Sequence, residues 1–155
     1  MSGKVSAPEL KVRPYAAADE NATIELWQRT WQQAYPDIDF AERVGWWRER
    51  WRNELVPRAR ILVVEMDDEL EGFVTVDPLG GYLDQIVVAP EFWGSNVAAL
   101  LIDAAKSVSP VGLELLVNQD NGRAIAFYEK NGFEMTGNDV NPTSGRPVFR
   151  MRWRP

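Results

Sequence analysis

The 155-residue chain contains no cysteine and no histidine. The first absence excludes a disulfide framework, a thiolate metal site and a thiol nucleophile. The second removes imidazole as a base and, with it, zinc sites of the common kind, so no metal is expected. Any proton transfer must therefore use Asp, Glu, Tyr, Lys or water. Long apolar runs are missing too: none approaches the roughly 18 residues that cross a bilayer, and no membrane span is expected. Positive charge is in short supply. The 17 Lys and Arg face 23 Asp and Glu, for a net charge of −6, which argues against a nucleic-acid backbone as partner. Met1 to Glu9 carries one lysine and no apolar segment; it reads as a flexible start, not a signal peptide, and a cytoplasmic location is expected.

What is present is ordinary in bulk and specific in detail. A 45% hydrophobic content with 26% charge is that of a globular fold, and the length fits one domain. Leu10-Lys11-Val12-Arg13 alternates apolar and polar and reads as a short strand stopped by Pro14. From Asp19, a plausible N-cap, Ile24, Trp27, Trp31 and Ala34 recur at helical spacing, with Pro36 beyond the end. A second helix is expected from Asp39 or Phe40, with Val44, Trp47, Trp51 and Leu55 on one stripe and its end before Pro57. Arg60 to Met66 and Leu70 to Asp77 read as a hairpin about Asp67-Asp68-Glu69. Pro78 to Gly81 is a further turn, and two last strands are expected at Phe133 to Asn138 and Arg146 to Trp153.

The most informative stretch lies between. The strand Tyr82 to Val88 ends at Ala89-Pro90. A small-residue turn, Trp93-Gly94-Ser95-Asn96-Val97-Ala98, opens an apolar helix reaching about Val108. A second strand, Leu113 to Val117, leads into Asn121 and a helix bearing Ala124 and Phe127-Tyr128, closed by Asn131-Gly132-Phe133. A strand–helix–strand unit of this kind requires parallel strands and a right-handed crossover, which sets the helix N-terminus at the C-terminal edge of the first strand. Ligands of open α/β sheets bind at that edge.

This order, and the residues Asn121, Ala124, Phe127-Tyr128 and Gly132-Phe133, resemble the GNAT superfamily of N-acetyltransferases over essentially the whole chain. The resemblance implies an α/β (α+β) fold in the order β-α-α-β-β-β-α-β-α-β-β, with a mixed sheet of about seven strands and about four helices. It implies acetyl-CoA as co-substrate and an amine as acceptor. The family's phosphate turn has Arg or Gln, two residues, Gly, one residue, then Gly or Ala. Here Trp93 stands at the first place, Asn96 at the central Gly and Ala98 at the last. Small residues still let backbone N–H groups close around phosphate oxygens at a helix N-terminus. Asn96 tolerates a left-handed backbone, Ser95 adds a hydroxyl donor, and Trp93 could stack near the adenine. By the same resemblance the backbone of Ile86, Val87 and Val88 pairs with the pantetheine arm, Val97 belongs to the phosphate turn, and Asn121 contacts the carrier besides capping its helix.

For chemistry, an amine must attack a thioester and a thiolate must leave. Tyr128 lies nearly two helical turns from Asn121, on the same face, and is expected to protonate the leaving sulfur as general acid. Without cysteine, direct transfer in a ternary complex is expected. Some relatives place a glutamate where this chain has Leu116. Asp84, a carboxylate inside an apolar strand, is the first candidate base and Glu114 the second. Five of seven tryptophans, Trp27, Trp31, Trp46, Trp47 and Trp51, fall in the first two helices. Trp46 cannot share the direction of Trp47, and with Tyr35 it is a candidate for the acceptor wall or a homodimer contact. The alternative from another class is a catalytically silent acyl-CoA-binding domain of the same fold.

Overall fold

The computed structural model describes residues 9–155, so the expected flexible start, but for Glu9, lies outside the described residues. Seven strands, β1 (Lys11–Pro14), β2 (Arg60–Met66), β3 (Glu69–Asp77), β4 (Tyr82–Val88), β5 (Leu113–Asn118), β6 (Phe133–Val140) and β7 (Pro147–Trp153), form one sheet. Their spatial order is β1-β2-β3-β4-β5-β7-β6. Only β4 and β5 run parallel; the other neighbours are antiparallel. The β2–β3 hairpin closes through Asp67 and Asp68, both at positive φ (51° and 66°). A two-residue hairpin loop of this hand suits the twist of the strands it joins, and Asp accepts the left-handed region better than most residues.

Helices cover both faces. On one side lie α1 (Glu20–Ala34) and α2 (Val44–Arg50), which runs on through a π-helical turn, Trp51–Leu55, into a last short turn, α3 (Val56–Arg58). On the other lie α4 (Val97–Val108) and α5 (Gly122–Lys130). Among the described residues no helix is long and apolar enough to cross a membrane.

Three local readings need correction. Asp19 does not cap α1 with its side chain. Its carboxylate receives the Ala16 N–H (2.8 Å) and both terminal guanidinium nitrogens of Arg13 (2.8 and 2.9 Å), so it closes the 3-10 turn ahead of the helix. The second helix begins at Val44, not at Asp39 or Phe40. Asp39 instead accepts the N–H groups of Ala41 and Glu42 in a turn that buries Phe40. That helix also runs past Pro57, because the π turn has already broken the regular ladder: Val56 donates to Trp51, where the missing proline N–H costs little.

The sheet separates two apolar cores. Ile24 and Trp27 of α1 meet Trp47, Trp51, Val63, Phe73 and Val87 on one face. Trp27 stacks on Trp47 with ring centroids 4.7 Å apart, and Trp51 donates its indole N–H to the Tyr15 hydroxyl (3.0 Å). The tryptophan stripe is therefore core. On the other face Val97, Leu101, Ile102 and Ala105 of α4 pack with Val74, Val76, Leu115 and Tyr128. Gly72 on β3 makes that contact close. A Cβ there would lie 2.9 Å from Leu101 Cδ1 and 3.0 Å from both Val97 and the Val87 carbonyl oxygen.

Candidate active site

The parallel strands β4 and β5 share a single register pair, Tyr82 with Glu114, and then part. A bulge drives the parting. On β3 and β4, Thr75 faces Gln85 and Val76 faces Leu83, which leaves Asp84 as the extra residue; such an insertion bends a strand and strengthens its twist. The buried Thr75 hydroxyl accepts the Gln85 N–H (3.1 Å), satisfying the ladder group that the bulge displaces. Strand alternation then assigns the edges. The N–H groups of Gln85 and Ala89 turn toward β3, and so does the backbone of Val87 between them. The backbone groups of Ile86 and Val88 face the gap. Of the three residues named from sequence, Val87 serves the sheet, while Ile86 and the N–H of Val88 face the gap and the Val88 carbonyl accepts the Trp93 indole N–H.

Beyond β4 the chain passes Pro90–Phe92 and turns at Gly94 into α4. The left-handed position is Gly94, with φ +81°; Asn96 sits in ordinary helical geometry (φ −79°) at the N-cap, without a side-chain cap bond. The residue that takes the strained conformation is thus the retained glycine, which needs no help from asparagine. Ser95 spends its hydroxyl proton on the Phe92 carbonyl (2.5 Å) and accepts the Val97 N–H at 3.3 Å. Leu100 makes the first regular bond of the helix, to Asn96, so the backbone N–H groups of Ala98 and Ala99 are left for an external acceptor. Trp93 does not lie free for an adenine. Its indole N–H donates to the Val88 carbonyl (2.8 Å), and the Arg123 guanidinium lies 3.7 Å over its ring.

Asn121 caps α5 by accepting the Ala124 N–H (3.2 Å). Tyr128 returns inward and is 7% exposed, between Phe127 and Phe133, with ring centroids at 5.6 and 5.5 Å. Burial, and secondarily the neighbouring Tyr82 phenol, push its hydroxyl far above the ordinary tyrosine range. Tyr82 itself is pushed up to about 12, mainly by burial and then by Asp84. Both phenols therefore stay protonated at neutral pH, and Tyr82 stands at the rung beyond which β4 and β5 part. Asp84 is not a lone carboxylate. Arg50 of α2 donates to both its oxygens (2.9 and 2.7 Å), and the Gln85 amide donates to one of them at 3.2 Å. Glu114 is half-exposed, with Arg150 at 3.9 Å.

Tyr35 and Trp46 are held in different places. Trp46 is 46% exposed and has its ring contact with Trp47. Tyr35, just past α1, stacks on Trp31, donates to Asp120 (3.0 Å) and accepts from Asn118 at the end of β5 (3.0 Å). Arg146 from the β6–β7 loop lies over the Tyr35 ring at 4.9 Å and bonds Asp120 at 3.2 Å. A cavity of about 450 Å³ opens there, lined by Gln119, Asp120, Arg146 and Pro147. Sequence reasoning passed over Arg50, Asn118, Asp120, Arg123 and Arg146. The one local signal was Arg123, two residues after the capping Asn121.

The sequence model of the acetyltransferase (GNAT) family matches residues 21–133. The chain belongs to that family and is an acetyltransferase. It is similar to the peptidyl-lysine N-acetyltransferase YjaB of Salmonella typhimurium, with 29% identity over 125 residues, covering 80% of this chain and 83% of the relative. It is also similar to the peptidyl-lysine N-acetyltransferase YiaC of Escherichia coli, at 27% identity over 92% of this chain and 95% of the relative. Among solved structures, the PaiA N-acetyltransferase of Thermoplasma acidophilum in complex with coenzyme A superposes with a TM-score of 0.80 at 21% identity, covering 95% of this chain and 99% of that one. The apo form of E. coli YjaB superposes with a TM-score of 0.74 at 25% identity, covering 94% and 97%.

Proposed function

We propose that this protein transfers an acetyl group from acetyl-CoA to a primary amine of a small molecule or peptide, directly, in a ternary complex. The observation that carries the proposal is the parting of β4 and β5 beyond Tyr82 and Glu114. It leaves the backbone of Ile86 and the N–H of Val88 to pair with the pantetheine arm, the Val88 carbonyl being engaged by the Trp93 indole. The turn Trp93-Gly94-Ser95-Asn96-Val97-Ala98 lies at the open end of the gap, where the N–H groups at the start of α4 can take the diphosphate. Asn121 adds an amide from the start of α5.

The amine nitrogen attacks the thioester carbonyl carbon, the carbon–sulfur bond breaks, and the sulfur leaves with the electron pair. Tyr128 gives that sulfur its hydroxyl proton as thiolate charge develops. Burial keeps the phenol protonated before the step but makes it a weaker acid, so hydrogen bonding to the departing sulfur is a large part of its role. The amine proton goes to Asp84. An ionised carboxylate has about four lone-pair sites, so the Arg50 clamp fixes its direction and leaves acceptor capacity unused. The acceptor enters by the mouth at Tyr35, Asp120 and Arg146, where α1, β5 and the β6–β7 loop converge. The names of the similar proteins make a peptide lysine the first acceptor to try.

Calorimetry with acetyl-CoA, followed by thiol release across lysine peptides and small amines, tests this reading. Saturable binding with amine-dependent thiol release is expected. Binding without release for any amine would leave the silent acyl-CoA-binding domain, and absence of binding at millimolar carrier would remove the proposal.

A further inference from the structure

We infer that Arg123 supplies the cation for the carrier's diphosphate, and that Trp93 is the platform that holds it; this rests on the acetyl-CoA reading above. The phosphate turn of this chain has no basic side chain between Ala89 and Val97. A diphosphate placed on backbone N–H groups alone would lack a charged partner, in a protein whose net charge is already −6. The structure brings a cation to the turn from elsewhere. Arg123, in the first turn of α5, places its guanidinium carbon 3.7 Å above the centre of the Trp93 ring. Trp93 is itself pinned, since its indole N–H is bonded to the Val88 carbonyl at 2.8 Å. The next residue is Gly94, at the left-handed corner of the turn.

Three features make this pair a binding device and not a surface ornament. Stacking on an aromatic face uses the guanidinium plane and leaves its five in-plane N–H donors available, the geometry that suits bidentate phosphate contact. Arg123 is exposed, and the ion pairs of the described residues do not include it. The other arginine at this edge, Arg29, is spent on both oxygens of Glu91 (2.8 and 2.7 Å). Arg123 is thus the free cation beside the turn among the described residues. Its fixed perch also explains why a bulky, uncharged Trp93 is tolerated at a place where a basic or amide side chain is the rule.

The test compares wild type, Arg123→Ala, Arg123→Lys and Trp93→Leu by calorimetry with acetyl-CoA and acetyl-dephospho-CoA, and by steady-state kinetics with S-acetyl-pantetheine, which carries no phosphate. Thermal unfolding of each variant checks that the fold is kept. Arg123→Ala is expected to raise the Kd for both nucleotide carriers by about tenfold or more, as loss of a charge-assisted contact should. Its kcat/KM with acetyl-pantetheine should match wild type. Arg123→Lys should recover part of the affinity, because charge remains while the planar stack is lost. Trp93→Leu should weaken binding too, and the double variant should lose less than the product of the two single effects. Unchanged affinity in Arg123→Ala, or an equal loss with acetyl-pantetheine, would overturn the inference while the acetyl-CoA reading stands. A loss confined to the carrier bearing the 3′-phosphate would overturn the diphosphate assignment. Failure of wild type to bind acetyl-CoA would remove both readings.

Discussion

Arg50 on α2 clamps both carboxylate oxygens of Asp84, the extra residue of the β4 bulge, at 2.9 and 2.7 Å. The same guanidinium lies 5.5 Å from the centre of the Trp47 ring and reaches Glu54 at 3.2 Å. One side chain thereby joins the helical layer, the aromatic core and the point at which the sheet opens. Arg50→Ala should strand a part-buried carboxylate. A loss of roughly 1–3 kcal/mol in unfolding free energy is expected, read by urea denaturation, with a larger proportional loss in turnover than in carrier affinity.

Asp84→Asn removes the proton acceptor while keeping half of the clamp, and Arg50→Ala, which breaks the clamp alone, is its control. The amide keeps the shape and one of the two acceptors that Arg50 uses, but it cannot take a proton. If Asp84 is the base, kcat should fall on the order of a hundredfold at unchanged KM for acetyl-CoA, with partial recovery as pH rises and the amine arrives unprotonated. Wild-type kcat in this variant would return proton removal to Glu114 or water.

Tyr128→Phe removes one oxygen from a well-packed ring and should barely disturb the fold. Turnover should drop by about two orders of magnitude with carrier Kd intact. In wild type, burial raises the phenol far above the ordinary range, so the proton remains in place through neutral and mildly alkaline pH. No loss of rate attributable to Tyr128 is expected below about pH 10, and a fall near neutrality in the kcat profile would contradict its role as acid.

Glu71 gives a stability prediction independent of catalysis. It is 6% exposed in β3, and its Oε2 has no hydrogen-bond partner among the described residues. Burial, then Glu91 and Glu69, raise its pKa in the fold. The neutral acid is therefore the form the fold prefers. The stability this gives is complete below the unfolded pKa and is lost as pH rises through the folded one. Glu71→Gln should stabilise the protein at pH 7 by on the order of 1 kcal/mol, and the gain should vanish near pH 4. Equal melting temperatures at pH 7 would refute this.

Gly72→Ala addresses the packing of α4. The new methyl group would meet Leu101, Val97 and the Val87 carbonyl at 2.9 to 3.0 Å, and a backbone oxygen cannot rotate away. A cost of about 1–3 kcal/mol is expected, with weaker carrier binding because the start of α4 must shift. Thermal unfolding and calorimetry on the same sample measure both.

The sequence revealed what period and punctuation can carry. Arg60–Met66 and Tyr82–Val88 were legible to the residue, because each is a short apolar run between clear turn signals, and α4 because its apolar face runs unbroken from Val97 to Val108. Phe40 misled: an apolar residue before a helical stripe looks like its first turn, and only tertiary packing shows it buried in a loop. Pro57 misled for the opposite reason, since a π turn that has already given up its regular bonds is invisible in composition. The candidate site was legible where one continuous segment builds it, as at Asn121 to Tyr128. It was not legible where charges meet across the fold. Arg50 and Asp84 are 34 residues apart, and Tyr35 and Asp120 are 85 apart. No spacing rule connects them.

The register of β4 with β5 carries a mechanical consequence. With Tyr82 opposite Glu114 as the sole rung between them, the sheet is two panels on a seam that is stitched at one end. A pantetheine arm hydrogen-bonded along that seam would act as a missing strand, so the molecule should be stiffest when loaded. Amide exchange at Ile86 and Val88 should then slow on carrier binding more than at any other strand position. The substrate would be part of the architecture that processes it.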